Sequence, residues 1–441
     1  MSLAESLALV RPDLPPELVP AAARDDLDAL ARGLAPVHRA GFEVRLGDSP
    51  QVDLQQGFAA GDGELARLRA HLTAVDVDEG VRDRLGGFLA ACEDAGSPLH
   101  GAVRDLWLEF DRPPVAALSV FAGFHPGRSA AAPDAVGLLA GGAAAARFAR
   151  ALERCLAAVP PGAHLSHVGL MLGRPTPLVR VNVKRLAAEQ VGPFLRDAGW
   201  PADGGDAEAL ARRLGRHADG VTLCLDLTER VAPRLGLECH LDRQPPAEPR
   251  WRDLLDELVA AGSCTAAKRD ALLAWAGRVV PAAAPAPWPA DLVLASLRRP
   301  PDHFTCLDRQ LSHVKVEWAP GTAPAAKGYF GFVHRWLRPG PGDGPPRRRP
   351  RGGAPRGVAG AVDFLLAARE PAGWWRDFAG VEGATDDWAR AFGWSDEWVT
   401  AFAGTALAGA PDARARDAAR RAWSLLTERR LPAGGWGYNR L

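Results

Sequence analysis

Residues 165–186, LSHVGLMLGRPTPLVRVNVKRL, read as two strands around a turn. Val168, Leu170 and Leu172 alternate with His167, Gly169 and Met171. Beyond Gly173-Arg174-Pro175-Thr176-Pro177, Val179, Val181 and Val183 alternate with Arg180, Asn182 and Lys184. Strict alternation gives a strand one apolar face and one polar face, and the Gly/Pro cluster supplies the turn. On the second strand the polar face sets an amide between two cations.

The same unit recurs four more times. Phe42, Val44 and Leu46 alternate with Glu43 and Arg45, and the return strand sets Val52 and Leu54 against Gln51, Asp53 and Gln55. Leu106, Leu108 and Phe110 oppose Trp107 and Glu109, with a turn at Asp111-Arg112-Pro113-Pro114 and a return to Phe121. Val221, Leu223, Leu225 and Leu227 face away from Asp226; Leu235 and Leu237 face away from Arg234 and Glu238. A fifth hairpin begins at His303, with Val314, Val316 and Trp318 against His313, Lys315 and Glu317. Its return is expected near Tyr329–Val333, after a mobile Ala319–Lys327 loop. Helical stretches separate the hairpins, at about 16–40, 63–95, 141–158, 187–199, 206–217 and within 249–297.

Ten antiparallel strands with one apolar face each need a cover for that face. The intervening helices are the partners available. An open sheet of this size leaves edges to protect, so closure into a barrel is expected, helices outside and polar side chains within. The fold class is α+β: a ten-stranded antiparallel αββα-repeat barrel followed by an all-α segment.

Composition excludes several classes. The 441 residues carry 53 Lys+Arg and 53 Asp+Glu, so no net field favours nucleic acid. No apolar run is long enough to span a bilayer, and the N-terminus lacks the basic start of a signal peptide. Six scattered cysteines without a C-x-x-C pair argue against structural zinc and fit a reducing, cytoplasmic setting.

Over residues 16–335 this organisation resembles the ABBA prenyltransferases, whose fold is five αββα repeats around a solvent-filled ten-stranded barrel. The resemblance rests on architecture and face polarity, without a short shared motif. It implies transfer of a prenyl group from an allylic diphosphate to an aromatic or peptide acceptor in natural-product biosynthesis. Cations must hold the leaving diphosphate, aromatic faces must shield the allylic cation, and a carboxylate must take the acceptor proton. Carried onto inward-facing positions, these roles fall to Arg45, Arg180, Lys184, Arg234 and Lys315 for diphosphate, to Glu109 as catalytic carboxylate, and to Trp107, Phe121 and Tyr329 as shield. Magnesium accompanying the diphosphate is the one cofactor implied; no protein metal site is expected. The chain departs from indole-modifying members in having only two tyrosines, Tyr329 and Tyr438. Glu43, Asp53, Asp226, Glu238 and Glu317 also oppose an anion unless paired.

Residues 337–357, rich in Pro, Gly and Arg, read as a linker between a barrel domain (1–336) and a C-terminal domain (358–441). There Arg369-Glu370-Pro371-Ala372-Gly373-Trp374-Trp375 fits the spacing Q-x3-G-x-W with Arg for Gln, and Arg430 to Trp436 repeats it. This resembles the repeat of squalene–hopene-type cyclases and protein prenyltransferase β subunits. It implies a partial α-toroid that further chain or a partner would complete. Gly permits a tight turn there, and Trp packs on a helix end. Of the cyclase signature D-x-D-D-T-A, the stretch Asp396 to Ala401 keeps the first Asp, Thr400 and Ala401 but not the central acids. Asp386-Asp387 lacks the third acid of D-D-x-x-D, since position 390 is Arg. The alternatives to prenyl transfer are therefore a terpenoid cyclase and a non-catalytic binding or scaffold protein.

Overall fold

The structure, a computed structural model, describes residues 1–337, 357–375 and 396–430, apart from 62, 75–76, 112–116, 174–177, 282–283, 297–302 and 372. Residues 338–356 of the proposed linker, 431–436 of the second G-x-W copy, Asp386, Asp387 and Tyr438 lie outside the described residues. The chain forms two compact units. The first comprises residues 1–279, 286–293 and 307–335, and the second comprises 280–285, 294–306 and 336–441.

The strands are β1 (Arg39–Arg45), β2 (Val52–Ala59), β3 (Val103–Asp111), β4 (Ala117–Phe124), β5 (His164–Met171), β6 (Val179–Lys184), β7 (Gly220–Leu227), β8 (Val231–His240), β9 (Gly277–Val279), β10 (Phe304–Trp318) and β11 (Ala325–Leu337). They follow one another in antiparallel pairs, and β11 pairs with both β10 and β1. The sheet therefore closes as a ten-stranded barrel, with the three-residue β9 added beside β10. The connection after β10 is shorter than expected. Strand β11 starts at Ala325, and Gly321 (φ +74°) and a Thr322-to-Ala319 hydrogen bond form its turn.

Helices α1 (Leu3–Val10) and α2 (Ala21–Arg32) precede the barrel. Then α3 (Glu64–His71) and α4 (Glu79–Glu93) follow the first hairpin, and α5 (Ala132–Ala140) and α6 (Gly142–Ala158) the second. The third is followed by α7 (Ala188–Ala198) and α8 (Gly205–Gly215). The fourth is followed by α9 (Arg250–Ala260), α10 (Ala266–Trp275) and α11 (Ala290–Ser296). The expected single helix over 63–95 is two, because Asp78 caps a new start by accepting from Val81 N. Helix α1 carries a legible signal that hydrophobic periodicity missed, a Ser2/Glu5 capping box.

The apolar strand faces are the ones the helices cover. Phe42, Val44, Leu106, Leu108, Phe110, Val168, Val181, Leu223, Leu237 and Val316 are all almost fully buried. At the seam where β1 meets β11, Phe42 packs on Phe330 (centroids 5.2 Å), and Trp275 of α10 meets Phe330 edge-on. Trp275 also donates its indole N–H to Gly331 O at 3.0 Å.

Helix α10 also fixes one mouth of the barrel. Its buried Lys268 Nζ donates to the carbonyls of Arg45 (2.6 Å), Gly47 (2.7 Å) and Ser49 (2.7 Å), and Thr265 N donates to Leu46 O (2.9 Å). One ammonium thus satisfies three acceptors of the β1–β2 turn with charge-assisted bonds. Replacing Lys268 with Met is expected to cost about 2–4 kcal/mol, since the carbonyls lose their donor while the stem still packs. A urea unfolding midpoint unchanged from wild type would refute this.

The second unit contributes α12 (Gly357–Ala367), α13 (Asp396–Ala408) and α14 (Ala413–Glu428). The local reading of its first G-x-W stretch holds. Gly373 takes φ +98°, a conformation side chains disfavour. Trp375 donates its indole N–H to Leu365 O of α12 at 2.7 Å, and its backbone N donates to the buried Thr400 hydroxyl at 3.0 Å.

Candidate functional site

Strand alternation puts one row of every strand into the lumen. Reading around the barrel, these rows include Arg39, Glu43 and Arg45 of β1, Asp53 and Gln55 of β2, and Asp105, Trp107 and Glu109 of β3. They continue with Phe121 of β4, His167 of β5, and Arg180, Asn182 and Lys184 of β6. The circuit ends with Cys224 and Asp226 of β7, Arg234, Glu238 and His240 of β8, His313, Lys315 and Glu317 of β10, and Lys327 and Tyr329 of β11. All nine residues expected at the site therefore face one lumen.

Register decides which charges meet. Arg180 sits opposite Asp226 and donates to both its oxygens, at 2.7 and 3.0 Å. Lys315 sits opposite Glu238, 3.4 Å away. Arg45 bonds Glu43 and Asp53, each at 2.6 Å, and Arg234 bonds Glu317. Lys327, which the sequence reading left in a loop, bridges Glu43 (2.8 Å) and Glu317 (3.2 Å). These partners outweigh desolvation. Burial opposes ionisation of Glu43, but Lys327 and Arg45 hold its pKa down at about 2. Against the same penalty, the Lys315 ammonium keeps Glu238 well below the usual carboxylate range. The space bounded by Arg180, Cys224, Asp226, Arg234, Lys315 and Glu317 measures only about 10 Å³. That admits at most one water, so this part of the lumen is filled by its own paired side chains.

Glu109 differs from its neighbours. It is 5% exposed and accepts a hydrogen bond from the Gln55 amide at 2.8 Å. Burial, reinforced by the charges of Glu43 and Asp111, pushes its pKa up to about 8. Two positions along β3 lies Trp107, whose cross-strand partner is Phe121. Both rings lie across glycines of the adjoining strands. A Cβ at Gly57 would come within 2.8 Å of the Trp107 ring, and one at Gly169 within 2.3 Å of Phe121. Glycine at these two positions is what lets the rings lie along the wall. Two positions beyond Trp107, Asp105 faces His167 (3.4 Å) across Gly123. Tyr329, the third expected aromatic, stacks on His313 at 4.1 Å and donates its hydroxyl to Glu43.

Sequence reading also missed Arg39, because the first strand was begun at Phe42. The guanidinium of Arg39 lies 4.8 Å over the Trp107 ring. Among the described residues, no three His, Cys, Asp or Glu side chains are arranged to hold a metal ion, and no helix is long and apolar enough to cross a membrane. In the second unit, Glu397 pairs with Arg429 (3.3 Å), whose guanidinium lies 4.0 Å over the Trp374 ring.

No protein-family model matches this sequence, and neither does any curated protein. Solved structures do show similarity. The prenyltransferase PriB, in a ternary complex with L-tryptophan and dimethylallyl thiolodiphosphate, aligns at 17% identity over 74% of this chain and 96% of its own, with a TM-score of 0.47. The 5-dimethylallyltryptophan synthase of Streptomyces coelicolor aligns at 16% identity over 74% of this chain and 95% of its own, with a TM-score of 0.46. For the 6-dimethylallyltryptophan synthase of Micromonospora olivasterospora the figures are 14%, 75%, 97% and 0.45.

Proposed function

We propose that the protein transfers a prenyl group from an allylic diphosphate to an aromatic acceptor inside the barrel. The observation that carries this is the inward row of β3. A Trp107–Phe121 wall lies beside Glu109, a buried carboxyl that bonds no cation among the described residues. As the donor C–O bond breaks, its electron pair leaves with the diphosphate, which the lumen cations receive. The allylic cation is held against the aromatic faces, away from water. An acceptor carbon attacks it, and the proton displaced from that carbon passes to ionised Glu109. Arg45, Arg180, Lys184, Arg234 and Lys315 are the diphosphate set of this reading, and Tyr329 the remaining shield. Magnesium would enter with the diphosphate.

The second unit we read as a terpenoid-cyclase-like helical repeat, on the strength of Gly373 and of Trp375 seated on the end of α12.

A second reading is a binding chamber without turnover. It is favoured by one observation, the carboxylate partner held by each of Arg45, Arg180, Arg234 and Lys315. Incubation with dimethylallyl or geranyl diphosphate and a panel of indoles and phenols, with and without magnesium, separates the two. Mass spectrometry should find the acceptor heavier by one prenyl group. Tight donor binding with no such product would leave the chamber reading.

A further inference from the structure

The inward cations fall into two sets. Arg45, Arg180, Arg234, Lys315 and Lys327 each bond a carboxylate. Among the described residues Arg39 and Lys184 bond none. The two sit on opposite walls, on β1 and β6, at the same end of the barrel: Arg39 opens its strand and Lys184 closes its own. This is the end where strands run into helices, away from the paired cluster at the hairpin turns.

Arg39 is also held in readiness. It crosses over Gly57, where a Cβ would lie 2.6 Å from its Nε, and rests on Trp107. Stacking fixes the plane of a guanidinium and leaves its edge N–H groups directed outward from the ring. Its Nη2 is buried and has no hydrogen-bond partner among the described residues. Among the described residues, Asn182 Oδ1 beside Lys184 on β6, Asp105 Oδ1 on β3 and His313 Nε2 on β10 are likewise buried without hydrogen-bond partners. A buried polar atom left so costs about 1–3 kcal/mol, and a protein tolerates several together where a ligand meets them. Arg39, Lys184, Trp107 and Phe121 are each half-buried, in contrast to the filled region around Lys315.

We infer that this end of the lumen is an anion-binding subsite, in which Arg39, stacked on Trp107 and seconded by Lys184, receives the charged group of the bound small molecule. The inference rests on the prenyl-transfer reading only for the ligand's identity. The anion is a phosphate-like or carboxylate group, carried by the donor as diphosphate or by the acceptor as a carboxylate. Either places the ligand body on the Trp107–Phe121 wall, with Glu109 at its far edge, about 7 Å along β3.

The test is calorimetric titration of the full chain with inorganic diphosphate and, separately, with indole-3-propionate. Wild type is compared with Arg39→Gln, Arg39→Lys and Lys184→Met. Arg39→Gln should weaken binding about 10- to 100-fold, the loss of a charge-assisted pair. Arg39→Lys should recover part of it, and melting temperatures should hold, because no ion pair is broken. Loss for diphosphate alone assigns the subsite to the donor; loss for the carboxylate alone assigns it to the acceptor. Wild-type affinity for both ligands in all three variants would overturn the inference, as would a wild type that binds neither at millimolar concentration. Intact anion binding without any prenylated product would instead fail the prenyl-transfer reading and leave the subsite standing.

Discussion

Glu109→Gln should lower prenyl transfer by about 10²–10⁴-fold, the usual worth of a positioned base, and make the protein more stable at alkaline pH. The two effects share a cause. Unfolded, the carboxyl titrates near 4.5; folded, burial and the charges of Glu43 and Asp111 lift it to about 8. Between these values the unfolded chain gives up a proton that the folded chain keeps. This group's contribution to stability therefore falls as pH rises from 4.5 through 8 and is level below and above. Glutamine keeps the contact with Gln55 and has no proton to lose. Unfolding free energies of wild type and variant from urea titration should coincide near pH 4 and separate by a few kcal/mol near pH 8.5. Wild-type turnover should climb with pH through about 8, and the variant's residual rate should lack that rise. Full activity in Glu109→Gln would remove the residue from the chemistry.

Arg180→Ala is expected to destabilise the barrel by about 3–5 kcal/mol. The guanidinium is buried and bidentate to Asp226. Truncation removes the bidentate donor from a carboxylate whose side chain is only 14% exposed. Arg180→Leu combined with Asp226→Leu should recover most of the loss, because an apolar pair of similar bulk replaces a buried ion pair at little net cost. Denaturant unfolding of the single and double variants measures this directly. If the double variant is no better than the single, the loss does not come from an uncompensated buried charge. The contrast with Arg39→Gln, predicted to leave melting unchanged, separates a cation tied into an ion pair from one that bonds no carboxylate among the described residues.

Much of the barrel could be read in advance because period-2 alternation is local. Val179, Val181 and Val183 against Arg180, Asn182 and Lys184 state the inner and outer faces of β6 without reference to any other strand. The same rule put Glu109, Trp107 and Arg180 on the inward face. Ion pairing was not legible, because it depends on register. Arg180 meets Asp226 and Lys315 meets Glu238 only once the strands are aligned residue by residue. Strand ends were the other loss. Arg39 precedes the first obviously apolar residue of β1, and Lys327 follows a Gly/Pro/Ala stretch, so two important lumen cations fell just outside the recognised pattern. The three-residue β9 has too few positions to show any period.

The β1–β11 seam sets a schedule for the ribosome. Glu43 waits for Tyr329, 286 residues further along the chain. At the usual 5–20 residues per second, roughly 15–60 s pass between synthesis of one and the other. Through that interval the growing meander has unsatisfied backbone at both borders, a template for pairing with another nascent chain. Contacts of such sequence separation also form slowly once the chain is free. Yield in recombinant expression should therefore depend on temperature and chaperone supply more than on the final stability of the folded protein.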